Sequence, residues 1–134
     1  MSLFDKTMNG LQTSLAMRQL RQNITSANIA NAETPGYQAK KLDFEAALER
    51  ALDLDGLRGM STDNPDHMTV GGHTAKVTPD IYDNPDGVPG NDGNTVNLEQ
   101  EMATLSENAI MYKAALQLMN KKLAALKYAA SEGR

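Results

Sequence analysis

The sequence predicts a mainly α-helical protomer. Long amphipathic N- and C-terminal helices form a coiled-coil or hairpin-like bundle around a flexible, partly extended middle. Three observations predict this. Apolar residues recur at an unbroken 4-3 spacing from Leu98 to Ala130, the mark of a coiled-coil or bundle helix. A second apolar periodicity near the N-terminus stops abruptly at an Asn-rich block ending in Pro35-Gly36. Between the ends, residues 60–97 gather four of the five prolines among Asp, Asn and Gly turn formers, a composition that opposes helix.

The N-terminal helix carries Phe4, Met8, Leu11 and Leu15 at 4-3-4 spacing, after which the seam slides to Leu20, Ile24 and Ala27. Arg18, Gln19, Arg21 and Gln22 interrupt it with polar groups. Ser2 suits an N-cap, with Asp5 favourably placed against the helix dipole. The run Asn28-Ile29-Ala30-Asn31-Ala32-Glu33-Thr34-Pro35-Gly36-Tyr37 ends the helix. Pro35 lacks an amide hydrogen and biases Thr34 away from helical geometry, and Gly36 permits the positive φ of a tight turn. Asn28 and Asn31 are poor helix formers whose amides bond to nearby backbone.

A shorter helix is expected over about Asp43–Leu54, with Phe44, Ala47, Leu48, Ala51 and Leu52 apolar and Gly56 and Gly59 closing it. Met68–Val70 and Ala75–Val77 have the form of a hairpin across Gly71-Gly72-His73-Thr74. Asp80–Asn94 has almost no apolar residues and is expected to be mobile. The C-terminal seam consists of Leu98, Met102, Leu105, Ala109, Tyr112, Leu116, Met119, Leu123, Leu126 and Ala130. Asn97 is its N-cap, with Gln100 in capping-box position. Glu99 and Glu101 near the start and Lys121, Lys122 and Lys127 toward the end complement the dipole. The chain thus divides into an N-terminal helical segment (1–59), an acidic Gly/Pro-rich middle (60–97) and the heptad helix (98–134). Two helices alone make a marginal core, so the subunit is expected to complete it by self-association.

Composition narrows the function. Aromatic residues make up 4% of the chain and Trp is absent, so the apolar content is Ala, Leu and Met, suited to helix bundles and adaptable seams. The net charge of -4 is concentrated in the middle, where eight acidic residues face two basic ones over residues 51–97. No basic stripe suggests nucleic-acid binding, and no apolar run reaches the length of a membrane span. Without cysteine, thiolate chemistry and disulfides are excluded. His67 and His73 lie across a Gly-Gly loop without metal-site spacing. The Asp80–Asn94 stretch lacks the ligand pattern of a calcium loop, no Gly-rich phosphate loop precedes a helix, and no serine has nucleophile context. Glu99 and Glu101 read as dipole complements and Lys40-Lys41 as solvated charges. No catalytic residue, cofactor or metal is expected.

The block from Asn28 to Tyr37 resembles the Asn-Ile-Ala-Asn-Ala/Asn-x-Thr-Pro-Gly-Tyr signature of bacterial flagellar axial proteins. Leu3-Phe4-Asp5, the Arg18–Asn23 segment, Tyr37-Gln38-Ala39 and Leu42-Asp43-Phe44 extend the likeness to the flagellar basal-body rod family. So do Asp63–Met68, Asn97–Met102 and Tyr112–Asn120. The short length and the Leu42-Asp43-Phe44 continuation favour its proximal-rod branch over distal rod and hook subunits, with FlgC the nearest confusion. The resemblance implies a non-enzymatic structural subunit, made in the cytoplasm and exported by the flagellar type III apparatus without cleavage. It implies assembly through the terminal helices into the tubular periplasmic rod of the basal body. Its implied partners are FlgC-like and distal rod proteins, the FliE-like adaptor and base ring, and the export apparatus. The competing reading from the residues alone is a soluble coiled-coil adaptor or chaperone-like binding module using the same seam.

Overall fold

The computed structural model describes residues 6–53 and 79–132. Its elements are α1 (Lys6–Ala30), β1 (Lys40–Leu42), α2 (Phe44–Asp53), β2 (Ile81–Asp83) and α3 (Leu98–Glu132). The fold is mainly helical with long terminal helices, as the sequence predicts. Ser2, Phe4, Gly56, Gly59, His67, His73 and the expected 68–77 hairpin lie outside the described residues.

α1 and α3 run antiparallel. Asn94 near the start of α3 meets Asn31 at the end of α1, and Asn108 meets Arg18 further back. Good helix formers dominate both segments, and neither carries an internal proline. Asn97 caps α3 as expected: its side-chain oxygen accepts from the Gln100 amide at 3.3 Å, and its carbonyl accepts from the Glu101 amide at 2.9 Å. At 1.5 Å per residue the helix is roughly 50 Å long. It continues to Glu132, so the lysines placed for the dipole fall short of its last turn.

The core lies on the C-terminal half of α1. Met17, Leu42, Phe44 and Ala47 are buried together, with Leu20, Ile24 and Leu48 packed against them. Asp43 caps α2 through its side chain to the Ala46 amide at 3.3 Å, which turns Phe44 and Ala47 onto α1. The seam slide at Leu20 and Ile24 therefore marks a new partner, α2 with β1. Arg18 and Arg21 do not interrupt this packing. Their guanidinium carbons lie 4.9 and 4.7 Å from the Phe44 ring centroid, close enough for cation–π attraction, while their stems cover apolar surface.

β1 and β2 pair antiparallel, with Lys40 opposite Asp83, Lys41 opposite Tyr82 and Leu42 opposite Ile81. Three-residue strands are too short to show a period-2 pattern, and the sequence reading placed none here. Lys40 pairs with Asp83, Lys41 with Asp86 at 3.5 Å and Arg50 with Asp80 at 3.5 Å. Lys40 is therefore a cross-strand ion-pair partner and Lys41 pairs with the loop after β2, both exposed pairs of small worth.

Residues 79–97 correct the expectation of mobility for that part of the middle. They fold back over the α1 exit and are fastened by hydrogen bonds. A reading based on scarce apolar residues misses order supplied by backbone and amide groups.

Candidate functional site

The signature block forms a polar node between the end of α1, the approach to β1 and the loop before α3. Thr34-Pro35-Gly36-Tyr37 is a type II turn. The Tyr37 amide donates to the Thr34 carbonyl at 3.2 Å, and Gly36 takes a φ of 72°, with Pro and Gly in the two central positions that turn favours. The Gly36 amide then donates to the Asp92 carbonyl at 2.9 Å. Gly93, at a φ of 78°, lies against it: a Cβ built there would sit in ordinary contact, 3.6 Å from the Gly36 Cα. It is the left-handed backbone rather than lack of space that favours glycine there.

Asn28 explains the first asparagine of the block. Its relative exposure is 1%, and its amide completes one edge of the chain at Lys40. The side-chain oxygen accepts from the Lys40 amide at 2.9 Å, and the side-chain nitrogen donates to the Lys40 carbonyl at 2.8 Å. The Tyr37 hydroxyl adds a third bond at 3.2 Å to the same oxygen. A helix side chain thus does for Lys40 what a neighbouring strand does. Asn31 bonds back to the Ala27 carbonyl at 2.8 Å and accepts from the Thr34 hydroxyl at 3.2 Å. Ile29 is half-buried, and Ala30 and Pro35 are exposed.

The opposite edge is held by Asn94 and Thr95, both buried. The Asn94 side-chain nitrogen lies within donating distance of the Asn31, Ala32 and Thr34 carbonyls, at 2.9, 2.9 and 2.8 Å. These carbonyls belong to the turn that follows α1, which ends at Ala30, so Asn94 fastens the exit turn from a distant part of the chain. Its own oxygen accepts from the Val96 amide at 2.8 Å. The Thr95 amide donates to the Tyr37 carbonyl at 3.0 Å, and its hydroxyl accepts from the Ala39 amide at 2.8 Å. The sequence reading took Asn91–Asn94 as a turn and missed this role. No local signal marks an amide that works across more than fifty residues.

Along α3 the contact with α1 differs from the predicted seam. Leu105, Tyr112, Met119 and Leu126 are half-buried, but the row completing the packed face is Asn108, Ala115 and Lys122. The other row of the seam faces outward: Met102 is 56% exposed, Leu116 39% and Leu123 47%, and Leu98, at the start of the first row, is 46% exposed. Ala109 is half-buried and Ala130 exposed. On α1, Met8 is buried and Leu11 and Leu15 are half-buried. At about 100° per residue the packed face is turned about 50° from the predicted one. Ile110, Leu118 and Tyr128 add exposed apolar surface elsewhere on the helix.

Beside the node, a cavity of about 250 Å³ opens between Arg21 and Ile24 of α1, Lys40 and Lys41 of β1, and Glu101 and Glu107 of α3. Its walls carry both signs of charge. Arg18 sits below its ordinary guanidinium value, because burial and the neighbouring Arg21 disfavour its charge while Glu107 acts the other way. No group of three or more His, Cys, Asp or Glu among the described residues has the arrangement of a metal site.

The segment from Met8 in α1 through the type II turn to Gln38 is where the family model described as flagella basal body rod protein matches, over residues 8–38. The likeness to individual proteins extends over nearly the whole chain. The flagellar basal body rod protein FlgB of Aeromonas hydrophila is 36% identical over 123 residues, covering 92% of this chain and 91% of its own. FlgB of Bacillus subtilis (strain 168) is 31% identical over 134 residues, covering 100% of both chains. The chain belongs to the FlgB family of flagellar basal body rod proteins. FlgB of Escherichia coli (strain K12) is 30% identical over 123 residues, 89% of this chain and 88% of its own. Membership makes the chain a structural subunit of the flagellar basal body rod. The rod-family likeness read from the signature block and the flanking residues is thereby upheld.

Proposed function

We propose that this FlgB-family chain builds the proximal rod through its terminal helices, contributing to a tubular drive shaft without catalysing a reaction. The observation that carries the reading is the outward row of α3, where Met102, Leu116 and Leu123 stand exposed at multiples of seven residues, with Leu98 exposed at the start of the helix. Apolar side chains in a continuous row gain by burial against neighbours, at about 25 cal/mol per Å² covered. Head-to-tail contacts that do not close on themselves generate a helical tube. Of the N-terminal residues expected in the assembly seam, Phe4 lies outside the described residues, while Met8 is buried and Leu11 and Leu15 are half-buried within the chain. The node from Asn28 to Tyr37 supports this work by fixing where α1 hands over to the outer part of the protomer.

The proposed neighbours are further copies, FlgC-like and distal rod subunits, and the FliE-like adaptor with the base ring. The proposed route is type III export from the cytoplasm to the periplasmic rod. These details rest on the family resemblance. The test is Leu116→Asp or Leu123→Asp in a strain lacking the native copy. Motility and basal-body incorporation should be lost while the subunit is still secreted, because a charge on the seam resists burial and the N-terminus is untouched. Normal motility would contradict the reading. Retention of the wild-type protein in the soluble cytoplasm, absent from purified basal bodies, would favour the adaptor instead.

A further inference from the structure

We infer that Asn108 is the residue that selects which face of α3 packs on α1. The choice needs explaining, because α3 offers a wholly apolar face through Met102, Ala109, Leu116 and Leu123, yet α1 takes the face completed by Asn108 and Ala115. Asn108 is 3% exposed, and its side-chain nitrogen donates to the Arg18 carbonyl at 2.8 Å. Its side-chain oxygen is buried with no hydrogen-bond partner among the described residues, as is Arg18 Nε. A buried amide satisfied on only one side is a poor source of stability. It is an effective source of specificity, since its one bond exists at a single rotation and register.

The geometry of the loop strengthens the case. Asn94 and Asn97 anchor the start of α3, but an anchored end leaves a helix free to roll about its axis. Asn108 supplies a directional contact three turns further along. Ala115, also buried, lies two turns beyond Asn108 on the same face and presents little bulk there. With the roll fixed this way, the row of Met102, Leu116 and Leu123 stays outside the intrachain contact. The inference concerns packing within one chain and stands or falls apart from the rod reading.

The full chain has no cysteine, so paired spin labels at Gln22→Cys and Ser106→Cys, both exposed positions, report the α1–α3 arrangement cleanly. With Asn108 present, double electron–electron resonance should give one narrow distance population. Asn108→Leu should retain helix content and add a second population, displaced by on the order of 4 Å for a roll of about 50° on a helix of this diameter. Asn108→Ala carries no added bulk and should broaden the distribution in the same way. A single unchanged distance in either variant that retains its helix content would overturn the inference, as would several populations in the parent chain. Loss of helix content by circular dichroism in both variants would also overturn it, since Asn108 would then act on stability alone. A strain motility assay on the labelled parent reports separately on rod function.

Discussion

At the α1 exit, side chains with hydrogen-bonding heads hold residues 28–40 against residues 92–95. Along α3, by contrast, a row of Met and Leu lies half uncovered. The two regions use opposite kinds of contact. Asn28, Asn94 and Thr95 are buried and bonded to named backbone atoms, so small displacements break specific bonds. Met102, Leu116 and Leu123 have no such partners, and apolar burial is non-directional. One chain thus keeps a fixed internal geometry while presenting an adaptable surface. Directional polar contacts fasten α1, β1 and the approach to α3, and the apolar row left outside is the surface proposed to receive neighbours.

The largest expected effect that sharpens this contrast comes from the apolar row. Leu116→Asp or Leu123→Asp should abolish rod incorporation, yet shift the unfolding free energy of the isolated chain by no more than about 0.5 kcal/mol, as expected for a surface substitution. Urea unfolding monitored by circular dichroism alongside a swarming assay checks both halves. A matching loss of monomer stability would break the division between regions.

Asn28→Ala should show the reverse pattern. It removes the partner of the part-buried Lys40 amide and carbonyl and of the Tyr37 hydroxyl, costing about 2 kcal/mol, readable as a lower denaturation midpoint. Asn94→Ala should cost about 2 kcal/mol by removing the bonds that fasten the turn after α1, and its amide-exchange effects should concentrate on residues 28–37. Gly36→Ala forces a Cβ into the left-handed region with open space around it, so about 1 kcal/mol is expected. The smallest effect belongs to the ion pairs Lys40–Asp83, Lys41–Asp86 and Arg50–Asp80. Raising salt to about 1 M should change stability by well under 1 kcal/mol, because exposed pairs are weak and screened.

The sequence disclosed what depends on periodicity and local stereochemistry. The extent of α3 and its Asn97 cap, the Pro35-Gly36 turn and the position of α2 followed from spacing and from the φ demands of particular residues. It did not disclose contacts that depend on which distant groups meet. Asn94 looked like one more turn residue, because its three carbonyl acceptors belong to another part of the chain. Asn108 lies beside a regular heptad seam, and nothing in the 4-3 spacing says that the packed face is rotated onto it. Phe44 between Arg18 and Arg21 likewise joins an apparent polar interruption to a ring over twenty residues away. The signature block itself was recognisable at once, but its physics became visible only when Asn28 was seen pairing with Lys40.

Hydrogen exchange on dilute monomer and on assembled rods, compared amide by amide, tests the division most directly. The account predicts that the Gly36, Ala39 and Lys40 amides are protected in the monomer. Amides over Leu116–Glu132 should exchange rapidly there and gain protection only on assembly. Protection of Leu116–Glu132 in the monomer equal to that of the node would contradict it.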